Sequence, residues 1–146
     1  MANGKTYGIN FPFRNSFNGK YLDLSDNSDE EIRTDLIHLL LTRKGARYFL
    51  PDFGTRLYEY IFEPLDGPTF TDIEAEIKDS VEKFIPNLII NSISIFDASQ
   101  EFNGDENVNT YNLPGRNELE YTAKVRIDYT ITDNVFNSKD FVIINL

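Results

Sequence analysis

Apolar positions along the chain fall into two blocks with a helical period, followed by blocks with the period of strands. In the first helical block Ile32, Leu36, Leu39, Leu40 and Arg43 recur at helical spacing. Ser28 and Glu31 form a capping box before it, in which hydroxyl and carboxylate each satisfy an orphan backbone donor. Asp29, Glu30 and Glu31 open this helix and Arg43 and Lys44 close it, which complements the macrodipole, and Gly45 fits the left-handed residue that ends it. A short helical turn is expected over 55–62, broken by the Pro- and Gly-bearing stretch 63–68. A second capping box, Thr71 with Glu74, starts another long helix, with Ile73, Ile77, Val81 and Phe84 on one stripe and Pro86 as its stop.

The strand-period blocks are more uneven. In residues 7–13, Tyr7, Ile9, Phe11 and Phe13 share one face while Gly8, Asn10 and Pro12 share the other. That pattern predicts a short strand or extended arm, and Pro12, lacking an N–H, keeps it from a central position. Residues 15–27 are polar and turn-rich apart from Tyr21, Leu22 and Leu24. Residues 88–96 are Ile-rich and read as a strand. The polar stretch 97–117 reads as a long loop of the kind that carries binding function or disorder. Residues 119–132 alternate without a fault, with Leu119, Tyr121, Ala123, Val125, Ile127, Tyr129 and Ile131 on one face. This is a half-buried antiparallel strand; at ~3.3 Å per residue it would be about 45 Å long, so a bend or bulge within it is expected. After a turn at 133–139, residues 140–146 form the last strand. Helices before strands, without βαβ alternation, predict an α+β fold: a small antiparallel sheet packed by two main helices.

Composition narrows the function. At 146 residues the chain fits a single domain, 1–146, and 40% apolar residues suffice for a real core. Net charge is −10, which argues against nucleic acid and anionic membranes, since both are held by Lys and Arg. With no cysteine, disulfides and thiolate metal sites are excluded. The polar start, Met1 to Thr6, has no apolar core behind it, so neither a leader nor membrane insertion is expected, and folding in the cytoplasm is.

Candidate chemistry is sparse. Gly4-Lys5-Thr6 has the tail of a phosphate loop, but the upstream glycine and strand are missing. Asp23, Asp26 and Asp29 are spaced by three, whereas a calcium loop needs ligands two apart. His38 is the only histidine, which leaves no His cluster and no Ser-His-Asp triad, and it reads as a surface or boundary residue. No catalytic residue, metal ligand or cofactor site is assigned. The remaining enzyme option is a particle-associated cell-wall glycosidase, using Glu63 with Asp66 or Glu59 as its paired carboxylates.

One constellation carries a resemblance. Gly8 is followed by Phe11-Pro12-Phe13-Arg14. The helix ending Leu39-Leu40-Leu41-Thr42 then precedes Gly45-Ala46-Arg47, Pro51-Asp52-Phe53-Gly54, Leu57 and Phe62-Glu63-Pro64. In order and spacing this resembles the gene-product-twenty-five-like (GPW) baseplate wedge family of contractile phage tails, which includes TssE-like subunits of type VI secretion. Ala46 and Leu65 depart from it, standing where many members carry Glu and Arg. The missing Arg contact, linked in the family to the wedge core, is left to Arg56 or Arg47.

The resemblance implies a small α+β domain with a structural, non-enzymatic role in a virion tail baseplate or contractile injection particle. Its partners would be other wedge subunits, the sheath protein and hub or spike proteins, in a six-fold hetero-oligomeric assembly. The subunit would join the wedge ring around the hub to the first sheath layer by strand addition at an exposed sheet edge. The expected interface residues are Arg47, Glu63 and Pro64, together with Phe141, Val142, Ile143, Ile144 and Leu146 of the last strand, read as the open edge because it is apolar on both faces. Arg47 and Glu63 have an internal ion pair as their alternative, and Phe62 is expected in the core. Glu63→Ala, or deletion of 143–146, is expected to leave a folded monomer that does not enter baseplates.

Overall fold

The computed structural model describes residues 8–16, 19, 21–64, 66–97, 110–112, 123–132 and 137–146. Its elements run β1 (Gly8–Ile9), β2 (Leu24–Ser25), α1 (Ser28–Leu41), a 3₁₀ helix (Leu57–Phe62), α2 (Gly67–Phe84), β3 (Leu88–Asp97), β4 (Thr110–Asn112), β5 (Ala123–Ile131) and β6 (Ser138–Asn145). The fold is α+β, as the periodicity predicts. Among the described residues no helix is long and apolar enough to cross a membrane.

Both helices begin differently from their expected boxes. The N-cap of α1 is Asn27, whose amide oxygen accepts from the Asp29 N–H at 3.1 Å. Asn caps at least as well as Ser, so with the two adjacent the helix starts one residue early. α2 begins at Gly67, four residues before Thr71: Asp66 caps it, accepting from the Thr69 N–H at 3.1 Å and its hydroxyl at 2.9 Å. Pro68 sits in the first turn, where a missing N–H costs nothing. The Thr71 hydroxyl donates back to Gly67 O inside the helix instead of capping it. At the other end α1 stops at Leu41, with Thr42 as C-cap, so Gly45 belongs to the loop beyond rather than to the helix end.

The main sheet has the order β3-β5-β6-β4. β5 pairs antiparallel with β3 and β6, and β4 runs parallel to β6. Along β5, Ala123, Val125, Ile127, Tyr129 and Ile131 are buried, and residues between them are half-buried. They share one core with Ile32, Leu36, Leu39 and Leu40 of α1 and Ile73, Ile77 and Val81 of α2. Residues 119–122 lie outside the described residues, so the bend expected in 119–132 is tested only over β5. The register irregularity lies on its neighbour, between Ile90 and Ser92 of β3.

Strand β6 is not a bare edge. β5 flanks it along its whole length, and β4 covers its other side at Ile143, Ile144 and Asn145. Val142, Ile143, Ile144 and Asn145 are all buried, so its C-terminal half is covered on both faces. β4 comes from within 97–117, where three residues are too few to show a period. The long unpaired edge among the described residues is instead that of β3.

The N-terminal arm also departs from its pattern. β1 pairs with β2 over only two residues, and Ile9 and Phe13 are exposed despite sharing the predicted apolar face. Tyr7 lies outside the described residues. Phe11 is half-buried and packs edge-on against His38 of α1, ring centroids 5.2 Å apart, and against Tyr111 of β4 at 5.8 Å, so side-chain packing and not strand pairing receives this arm.

Candidate assembly surfaces

Residues 42–66 connect α1 to α2 and hold three of the eight expected contact residues, Arg47, Glu63 and Pro64. A two-way backbone clasp closes their base: Thr55 N–H donates to Thr42 O at 2.9 Å, and Lys44 N–H to Thr55 O at 3.0 Å. A second rung follows, from Gly45 N–H to Pro51 O at 2.8 Å. Gly45 and Gly54 both have positive φ, +88° and +118°. A Cβ on Gly54 would lie 2.4 Å from Thr42 O, so only glycine allows the clasp to shut. Thr55 is buried, its hydroxyl donating to Leu40 O at 3.0 Å, which ties the clasp to the end of α1. Glu76 of α2 accepts from the Arg56 N–H at 3.0 Å, and Lys83 pairs with Asp52 at 3.8 Å.

Cation–ring stacking completes the scaffold. The Arg47 guanidinium lies 3.9 Å from the centroid of Phe53, which itself meets Phe84 of α2 edge-on at 5.1 Å. Arg43 lies 4.0 Å from the centroid of Tyr58. Arg47 therefore uses its face on Phe53 and forms no ion pair with Glu63. Glu63 and Pro64 are exposed, and so is Phe62, at 90% of its surface. The core position expected for Phe62 is filled by Leu57, the buried residue of the 3₁₀ helix.

The remaining expected contacts sit elsewhere. Val142, Ile143, Ile144 and Leu146 are buried, and Phe141 is half-buried under the Arg126 guanidinium, 4.2 Å from its centroid. These side chains are committed to the fold. What β6 leaves open is its backbone edge over 138–142, which has no strand neighbour among the described residues. Deletion of 143–146 would remove core, not a detachable edge. The Leu146 N–H donates to Ala123 O at 2.9 Å and its side chain is 2% exposed.

Two surfaces were not singled out by sequence reasoning. Tyr48, Phe49 and Leu50 project from the clasped connection, the first two 92% and 95% exposed. Their only signal was an apolar run with no period. The second surface is the open edge of β3, beside a groove of about 560 Å³ lined by Lys78, Val81, Glu82, Pro86, Ile89 and Ile90. Nothing in an Ile-rich strand says which of its edges is paired.

Two of the three carboxylates weighed for glycoside chemistry have structural partners, and the third, Glu63, is exposed. Asp66 caps α2, and Glu59 accepts from the Tyr58 hydroxyl at 3.2 Å. Asp23 accepts from the Asn10 side chain, and Asp29 from the Ser138 hydroxyl. Three other groups are tuned by burial. His38 is lowered by desolvation, with Asp35 opposing and Arg47 adding to the effect. Asp35 is raised by desolvation, against His38 and Arg47. Tyr129 is pushed far above the usual phenol range by burial and by Asp140, which accepts its hydroxyl and pairs with Arg33 at 3.3 Å.

The chain is similar to known proteins. The baseplate wedge protein gp25 of Enterobacteria phage T4 is 27% identical over 106 residues, covering 70% of this chain and 64% of that protein. The chain thus matches just under two thirds of that relative's length. A Geobacter sulfurreducens protein described as a putative tail lysozyme superposes with a TM-score of 0.58 at 19% identity, over 82% of this chain and 92% of its own. A chain of the six-fold symmetrised baseplate of the anti-feeding prophage gives a TM-score of 0.63 at 19% identity, over 87% and 86%. Both structures speak to the fold alone. A family profile described as "Baseplate wedge protein gp25" matches residues 26–134, from just before α1, through the clasped connection, to just past β5. With more than half of its length inside that profile, the chain belongs to the gp25 baseplate wedge protein family.

Proposed function

We propose that this chain is a structural, non-enzymatic wedge subunit of a contractile tail or injection particle. It joins the wedge ring around the hub to the first sheath layer. Its partners are other wedge subunits, the sheath protein and hub or spike proteins in a six-fold assembly, built in the bacterial cytoplasm. Arg47, Glu63 and Pro64 face a neighbouring wedge subunit.

The observation that carries this reading is the free edge of β3. Along its ten residues the backbone N–H and C=O groups that point away from β5 have no strand neighbour among the described residues, and Asp97 is its only charge. Natural edges are usually blunted by Lys, Pro or shortness, and one left this long and uncharged is suited to receiving another strand. The open part of the β6 edge, 138–142, is a shorter second acceptor. No observation favours the glycosidase reading: the neighbour described as a tail lysozyme contributes only fold, and of the carboxylates at issue Asp66 caps α2 and Glu59 accepts from Tyr58.

The test uses Ile89→Lys. Ile89 is 54% exposed at the β3 edge, so the substitution blunts the edge without opening the core. The variant should fold and enter wedges, while sheath no longer attaches, as read by quantitative mass spectrometry of purified particles. Sheathed particles at wild-type yield would refute strand addition at β3. Absence of the wild-type chain from such particles would refute the wedge reading itself.

A further inference from the structure

We infer that the clasped connection is a docking prong, made to enter an apolar socket ringed by carboxylates on a neighbouring subunit. The inference rests on the wedge reading and assigns a partner chemistry to a surface that reading leaves open.

Charge is the first argument. Residues 43–56 hold four cations, Arg43, Lys44, Arg47 and Arg56, and one carboxylate, Asp52. That is a local +3 in a chain of net −10, so the rest of the molecule sums to −13. Asp52 is engaged with Lys83, and among the described residues none of the four cations has a carboxylate at ion-pair distance. Arg43, Arg47 and Arg56 are exposed. Arg43 and Arg47 stack on rings by their faces, which leaves the N–H groups around the guanidinium rim to donate outward.

Shape is the second. Tyr48 and Phe49 stand outward and brace each other edge-on, centroids 5.4 Å apart, with Leu50 beside them. The clasp at Thr42, Lys44 and Thr55 and the rung from Gly45 to Pro51 hold the base from which they project. Rigid aromatic groups flanked by arginine are the usual composition of binding hot spots, and little ordering entropy remains to be lost on docking. An apolar tip above a cationic base calls for the inverse surface, an apolar pocket with Asp and Glu at its rim. A second copy of this chain is disfavoured because two bodies of net −10 repel each other. A nucleic acid would extend its phosphates past the prong and across the negative remainder of the molecule.

The experiment uses intact particles. A p-benzoylphenylalanine photo-cross-linker at position 49 should join this chain to a different subunit, at a segment with apolar residues flanked by Asp or Glu. Tyr48→Ser combined with Phe49→Ser should cut incorporation roughly thirty-fold, the loss of a full hot spot, with an unchanged thermal midpoint because both rings are exposed. Wild-type incorporation of that double variant overturns the inference, and so does a cross-link to DNA, lipid, a second copy or a surface without carboxylates. In each of those results the wild-type chain is still in the particle and the wedge reading stands. A wild-type chain missing from particles overturns both.

Discussion

Replacing Gly54 with alanine tests whether the clasp is a requirement or a convenience. The new Cβ would sit 2.4 Å from the Thr42 carbonyl oxygen and 3.0 Å from Arg43 C and Lys44 N, all backbone atoms that cannot swing aside. Relief means pulling the two arms apart, which breaks the Thr55-to-Thr42 and Lys44-to-Thr55 hydrogen bonds. Each contributes about 1 kcal/mol. A φ of +118° adds strain of about 1–3 kcal/mol for a residue with a side chain. Against this, alanine stiffens the unfolded chain by about 0.4–1 kcal/mol. The expected net loss is about 3 kcal/mol. Gly45→Ala is the control: it also has positive φ, +88°, but nothing lies within 4 Å of its added Cβ. There the strain of about 1–2 kcal/mol is partly offset by the same unfolded-state gain, leaving about 1 kcal/mol. Urea unfolding followed by far-UV circular dichroism compares the two at a common slope. With a slope of about 1–3 kcal/mol per molar urea, Gly54→Ala should lower the midpoint by roughly 1–3 M. Equal midpoints for the two variants would refute the account of the clasp.

Further expectations concern the core and its ionisable groups. Deleting 143–146 should abolish folding, read as loss of a cooperative urea transition, because it removes three buried apolar side chains and the β4 pairing; a folded product would show that β6 is dispensable. Burial and Asp140 raise the Tyr129 phenol above its ordinary 10.0, so folding holds that proton. Its stability contribution is full below pH 10 and declines as pH rises further, and Tyr129→Phe should flatten that decline in urea midpoints taken up to pH 11.5. An identical alkaline profile in the variant would sink this. His38 is lowered from 6.5 by burial, so its contribution is full above that pH and is lost as pH falls through its folded value. As the only histidine, it should give one imidazole NMR titration with a midpoint under 6.5, and a midpoint at or above 6.5 would contradict the packing against Phe11 and Phe13. Asp66→Ala removes two hydrogen bonds at the start of α2 and should cost about 1–2 kcal/mol in the same urea assay, whereas an unchanged midpoint would mean another group caps the helix.

What the sequence by itself determined is what depends on neighbours along the chain. The period of Ile73, Ile77 and Val81 marks the buried stripe of α2, and the alternation from Ala123 to Ile131 marks β5 and its inward face. Both survive because a long regular pattern has one way to bury its apolar side. Local choices with rival residues were less legible: Asn27 displaced Ser28, and Asp66 displaced Thr71, since several good caps stood close together. Residues 8–13 alternate like a strand, yet only two of them pair, because the arm is received by the side chains of His38 and Tyr111 and not by a strand edge.

The order of strands and the reach of each side chain were decided by tertiary structure alone. An apolar strand looks the same in sequence whether it is an edge or an interior one. Thr110–Asn112 covers part of the β6 edge, which leaves β3 with the longest open edge among the described residues. Likewise Phe62 and Phe49 are as apolar as Leu57, and nothing in their identity says that one residue of the three is buried and two project. For Phe49 that difference comes from the clasp, whose hydrogen bonds turn the chain outward before it can reach the core, and so this contact surface appears only once distant backbone groups have met.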